Sequence, residues 1–245
     1  MDIIIFAIAL VASFIFSLGG IGSAIILVPI MVSLGIPINS AKPIGLFINT
    51  VSMTGASINN IKNKRLDFKM GIPIIIASFI FAIIGAYISK FIPGNIIIIV
   101  FATFLTFSGL MFLFHKKKET ENYRTDSPFV KLTLIGAFAG LLSGMLGIGG
   151  GGIISPLMLM LGLNPKKITA ITAFVVPFSS LSGFLTYWAM GSVNWRLLII
   201  ATIAGTIGAT VGTIFMQKKL NADTVKKILA IILLLMAVKM IFKVF

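Results

Sequence analysis

Two glycine runs hold the residues whose types and spacing suggest chemistry. The longer is Gly147-Ile148-Gly149-Gly150-Gly151-Gly152, and a shorter echo is Gly19-Gly20-Ile21-Gly22-Ser23. Glycine costs a helix interior about 1 kcal/mol relative to alanine, so each run predicts a helix break. A helix restarting after a break aims unpaired N–H groups and a partial positive charge at the space before it. With no Cβ, glycine lets a ligand approach that backbone. The chemistry this permits is capture of an anion without a charged side chain.

The candidate ligand positions are Gly19, Gly20, Gly22 and Ser23 at the first run, and Gly147, Gly149, Gly150 and Gly151 at the second. Polar residues that could line the same space are Ser17, Asn49, Ser52, Thr172 and Ser179. Glycine also lets membrane helices pack closely. Gly136, Gly140 and Gly144, and again Gly208 and Gly212, have that spacing and are assigned to packing.

The elements that must position these residues are membrane helices. The chain is 58% hydrophobic and 11% charged, with a mean hydropathy of +1.12, which excludes a soluble domain. Its apolar runs cover 3–34 (broken at 19–23), 41–61, 70–90, 95–114, 129–162 (broken at 147–152), 168–189, 196–216 and 224–244. A run of about 20 residues crosses hydrocarbon about 30 Å thick. The net charge of +14 sits almost wholly between these runs. That placement points to topology-setting flanks beside acidic headgroups, so the partner implied is membrane lipid and not nucleic acid. Met1-Asp2-Ile3-Ile4 lacks a basic n-region, so the first apolar run is expected to stay.

Several chemistries drop out. With no cysteine, disulfides, thiolate metal sites and cysteine nucleophiles are excluded. The second glycine run matches G-x-G-x-x-G, but no acid follows between Ile153 and Ala173, against a dinucleotide site. Asp2, Asp67, Glu119, Glu121, Asp126 and Asp223 lie in loops or at ends, and His115 is the single histidine. The chain therefore offers no intramembrane proton-relay carboxylate and no Ser–His pair. Neither an enzyme nor a cofactor is expected. Lys42, the cation nearest the interior of an apolar run, reads as a residue that snorkels to the interface rather than as an anion ligand. Asp67 and Asn194 read as helix N-caps beside aromatic anchors, and Trp188 and Trp195 as belt residues.

The chain repeats itself. A shift of 127 residues brings Gly20-Ile21-Gly22 onto Gly147-Ile148-Gly149, Pro29 onto Pro156, Leu34-Gly35 onto Leu161-Gly162, and Asp67-Phe68-Lys69 onto Asn194-Trp195-Arg196. Charge then orients the halves. If each broken run crosses the membrane once, the cations divide 12 to 8 between the two sides. If each broken run turns back at its glycines, one side holds 15 and the other only Lys42, Lys90, Arg196, Lys239 and Lys243. The second arrangement fits the positive-inside rule better. The expected fold is an all-α polytopic membrane protein with two inverted repeats. Each repeat has three full spans plus a glycine-broken re-entrant or short-hairpin helix pair. Repeat 1 covers 1–115, a cytoplasmic linker 116–127 and repeat 2 128–245, with both termini outside.

The order and duplication of these motifs resemble the sulfite exporter TauE/SafE family. The matching features are the glycine break, Pro29 or Pro156, Gly35 or Gly162, and the Asp67-Phe68-Lys69 or Asn194-Trp195-Arg196 triplet. The resemblance implies a prokaryotic plasma-membrane permease that exports sulfite, an organosulfonate or a related small sulfur oxyanion. A passive anion channel, or a non-transporting scaffold or assembly factor, is the alternative. Valine at Gly149 or Gly150 is expected to abolish transport, and Lys42→Ala only to reduce it. The family's Thr-Ser-Leu-like triplet is replaced by Ile44-Gly45-Leu46 and Ile171-Thr172-Ala173. Ser23 and Ala24 stand opposite Gly150 and Gly151, which points to the second break as the tighter cradle.

Overall fold

The computed structural model describes residues 2–16, 22–114, 123–124, 126–219 and 222–242. Gly19, Gly20, Ser17 and most of the 116–127 linker lie outside these residues. All described secondary structure is helical. The first half contributes α1 (Asp2–Phe16), α2 (Ala24–Ser33), α3 (Ile38–Lys62), α4 (Phe68–Ile88) and α5 (Gly94–Phe114). The second contributes α6 (Phe129–Leu146), α7 (Gly151–Met160), α8 (Pro165–Ala189), α9 (Trp195–Lys219) and α10 (Ala222–Ile241). The 127-residue shift carries the first residues of α1, α2, α3 and α4 onto those of α6, α7, α8 and α9.

The helices following the two breaks are short. α2 and α7 have 10 residues each, which at 1.5 Å per residue is about 15 Å, half the hydrocarbon thickness. Among the described residues four stretches are long and apolar enough to cross a membrane: Phe68–Ile88, Gly94–Met111, Phe129–Leu146 and Lys167–Ala189. Phe129–Leu146 reaches that length although it leads into a break. α3 runs for 25 residues but is not among the four. Its Asn39, Lys42, Asn49, Thr50 and Ser52 make it polar because much of α3 faces protein rather than lipid.

Small residues set the packing. On α6, a Cβ at Gly136 would lie 2.6 Å from the carbonyl oxygen of Ile74, and Cβ atoms at Gly140 and Gly144 would strike the backbone of Ser78 and Ala82. Residue numbers rise together on the two helices, so α4 and α6 run parallel with their backbones touching. Gly208 of α9 meets the backbone of Leu10 on α1 in the same way. This close approach is the role assigned to those glycines from spacing.

At the centre α3 crosses α8 in the opposite sense. Lys42 lies 5.7 Å from the Tyr187 ring centroid, Leu46 packs on Gly183, and the Phe47 and Phe184 rings are 4.7 Å apart. Numbers rise on one helix as they fall on the other. At one end of the bundle Lys167 pairs with Asp67 at 3.6 Å. At the same end the Arg124 N–H donates to the Gly162 carbonyl at 2.9 Å. The segment entering α6 and the segment leaving α7 are therefore neighbours, and this broken pair returns to the end from which it set out.

The expected caps divide. Asn194 Oδ1 accepts the Leu197 N–H at 3.2 Å. Asp67 occupies the N-cap position of α4 without a side-chain cap bond, its carboxylate turned to Lys167 instead.

Candidate functional site

The second break is built from left-handed backbone. Gly147 ends α6 at φ 79° with its N–H on the Ser143 carbonyl at 2.8 Å. Gly149 at φ 77° and Gly150 at φ 74° then turn the chain, and α7 begins at Gly151. Only glycine takes such angles routinely, so the sequence run and the reversal are one fact. Residues 147–152 are all buried. At the first break, Gly22 has φ 89° and Ser23 is the N-cap of α2.

Asn49 joins the two breaks. Fully buried in the middle of α3, it accepts the Ala24 N–H on Oδ1 at 3.1 Å. Its Nδ2 donates to the Ile148 carbonyl at 2.8 Å. One side chain thus caps the start of α2 and holds the loop of the other break. The two glycines beside it need their lack of a Cβ. A Cβ on Gly22 would come within 2.5 Å of Asn49 Oδ1, and one on Gly149 would strike Asn49 Nδ2 and lie 2.6 Å from Ser180 Oγ. The Ser23 hydroxyl makes no cap bond and is itself buried without a partner among the described residues.

The other sequence-selected residues gather around the same breaks in different ways. Ser179 donates to the Gly149 carbonyl at 3.3 Å and also reaches the Val176 carbonyl at 3.2 Å, so it steadies the loop. Thr172 and Ser155 share a hydrogen bond of 3.2 Å that ties α8 to α7. Ser52 is half-buried, with an enclosed hydroxyl that has no partner among the described residues. Gly151 opens α7, where the leading N–H groups have no intrahelical acceptor. The position matching Asn49 in the second half is Val176, which cannot cap it.

Sequence reasoning passed over three residues and misplaced a fourth. Most hydroxyls on these helices bond a carbonyl three or four residues back, as Thr50, Ser89 and Thr186 do. Ser143 and Ser180 are fully buried and have no partner among the described residues. Ser143 is 3.5 Å from where a Gly150 Cβ would sit, and Ser180 flanks Gly149. A serine inside the Gly140–Gly144 stripe and a second serine after Ser179 were the available signals. Tyr187 is the third: its hydroxyl donates to the Gly144 carbonyl at 2.9 Å and contacts Ser89 at 2.7 Å.

Lys42 is the fourth, and it corrects an expectation. It is 0% exposed, not at the interface with its head in water. Its Nζ donates to Asn39 Oδ1 at 3.2 Å, and its stem lies against Gly147, whose Cβ would be 2.5 Å from Lys42 Cα. Lys42 is covered by Gly147 of the break, which a linear reading of distance from the run's end does not reveal. Among the described residues the second break therefore offers uncapped amides at the start of α7 and two unpartnered hydroxyls, with the Lys42 stem packed on Gly147 at its other end. Groups of this kind can donate hydrogen bonds to an acceptor-rich species.

The profile of the family described as Sulfite exporter TauE/SafE matches residues 5–240. The chain is 28% identical to "Probable membrane transporter protein YunE" of Bacillus subtilis (strain 168), over 98% of this chain and 97% of that protein. It is 25% identical to "Probable membrane transporter protein ORF9" of Sinorhizobium sp, covering 97% of this chain and 91% of that protein. It is also 37% identical to "Sulfite exporter TauE/SafE family protein 6" of Arabidopsis thaliana, over 40% of this chain and 23% of that protein.

Proposed function

We propose, since the chain belongs to the sulfite exporter TauE/SafE family, that this multi-pass membrane transporter carries sulfite, an organosulfonate or a related small sulfur oxyanion outward. The anion is held at the second break by the leading amides of α7. The observation that carries this reading is the uncapped, buried start of α7 at Gly150 and Gly151, with Ser143 and Ser180 unpartnered beside it. An oxyanion accepts hydrogen bonds and donates few, so it complements a cluster of donors. The nearest carboxylate pairs among the described residues, Asp67–Lys167 and Arg124–Asp126, are at the far end of the bundle.

The mechanism is alternating access by two inverted repeats, residues 1–115 and 128–245, joined by a cytoplasmic linker at 116–127, with both termini outside. The antiparallel crossing of α3 and α8 and the return of α6–α7 to its own end support that arrangement. Inverted repeats bring two broken helices together near mid-membrane, where rocking of one repeat against the other opens the site to each side in turn. Asn49 would hold the two breaks together through that motion.

Flux through purified protein in liposomes tests the reading, with sulfite, sulfate, thiosulfate, a small sulfonate and chloride offered in turn. Saturable movement of a sulfur oxyanion is expected. Movement of chloride at channel rates, or of none of them by folded and inserted protein, would contradict it.

A further inference from the structure

Lys42 is a buried cation that the amide-based site does not use. Its side chain is enclosed, and among the described residues no carboxylate lies within ion-pair range. The groups that face it are neutral: Asn39 on its own helix at 3.2 Å, the Tyr187 ring of α8 at 5.7 Å, and Gly147 of the second break against its stem. Ser89 of α4 reaches this cluster through the Tyr187 hydroxyl. One amide oxygen accounts for one of three ammonium donors. A charge inside a membrane bundle without a counter-ion is strongly disfavoured, and such residues mark ion pathways. The 127-residue shift puts Thr169 at the matching place, so the second half carries no equivalent charge.

We propose that Lys42 is the counter-ion of the transported anion. A small oxyanion passing between the Asn39 end of the bundle and the start of α7 pairs with the Lys42 ammonium before and while it engages the amides. This assignment rests on the transport reading and adds to it the group that matches the ligand's charge. Gly147, packed on the Lys42 backbone, is the first residue of the break whose last residues present those amides, so both binding elements share one loop. Asn39, exposed at the bundle end, is the route by which the anion reaches the ammonium.

The test is sulfite uptake into liposomes by wild type, Lys42→Met and Lys42→Arg, with thermal unfolding of each in detergent. Lys42→Met should raise KM for sulfite tenfold or more while its Tm stays at or above the wild-type value, because an uncompensated charge has been removed. Lys42→Arg should stay within about threefold of the wild-type KM, a shift of well under the 1.4 kcal/mol that a factor of ten represents. An unchanged KM in Lys42→Met overturns the assignment and leaves the transport reading standing. Absence of saturable flux in the wild type overturns both. Should Lys42→Met fail to insert, Lys42→Cys places a single thiol in a chain that has none. Recovery with an aminoethyl methanethiosulfonate but not with the neutral methyl reagent supports the assignment. An equal response to both reagents overturns it.

Discussion

The two glycine breaks begin from related sequence and end in different states. At the first, the leading N–H of α2 is donated to Asn49, and the N-cap serine makes no cap bond. At the second, the position matching Asn49 is Val176, and α7 starts on Gly150 with no side-chain cap. The same asparagine then spends its amide nitrogen on the Ile148 carbonyl, across the gap between the breaks. On the proposed reading the duplicated scaffold serves two tasks: Asn49 holds the leading amide of α2, and the leading amides of α7 are left for the anion. The difference lies in one side chain, because each leading amide can be either capped from within or presented to a ligand.

That contrast can be broken first at its shared residue. Asn49→Leu leaves the Ala24 N–H and the Ile148 carbonyl buried and unpaired, at about 1–3 kcal/mol each. A clear fall in Tm and loss of flux are expected in detergent melts and liposome assays. An unchanged Tm would mean that the bracket holds nothing. Next come the glycines of the second break, where the structure separates two residues that the sequence treats alike. Gly149→Ala forces a Cβ against Asn49 and Ser180 in a left-handed residue, costing about 1–3 kcal/mol of overpacking beyond the backbone strain. Gly150→Ala meets nothing closer than 3.5 Å and carries only the strain, about 1–2 kcal/mol. Melting curves of the pair should therefore place Gly149→Ala well below Gly150→Ala, and the reverse order would discredit the Asn49 contact. The smallest effect is expected far from both breaks. Lys167→Ala removes a part-exposed bridge to Asp67 worth about 0–1 kcal/mol, so its sulfite KM should stay within about twofold of wild type.

Much of this was legible in the sequence. Glycine's angular freedom announces a break where it clusters in apolar sequence, so the second break and the short helices that follow both glycine runs could be placed. The Gly136, Gly140 and Gly144 stripe also declared its packing role, since only small residues let two backbones touch. What could not be read was which polar atoms already had partners. Asn49 looks like a ligand residue in the sequence, yet its two bonds run to groups 25 and 99 residues away. Ser143 looks like part of a packing stripe, and only the absence of the usual bond to a preceding carbonyl sets it apart. Lys42 was misplaced for the same reason, because its cover comes from Gly147 and Tyr187, distant in the chain. Local conformation follows from local sequence, whereas the satisfaction of a buried donor depends on tertiary contact.

The central claim is that the second break binds because its leading amide is free. Val176→Asn would install there the cap that the first break has. The measurement is the KM for sulfite in liposomes, wild type and Val176→Asn side by side, at matched insertion and with Tm recorded. The account predicts a KM raised about tenfold, equivalent to about 1.4 kcal/mol of lost binding, with the fold retained. Equal KM values for two well-folded proteins would contradict it and move the anion away from the start of α7.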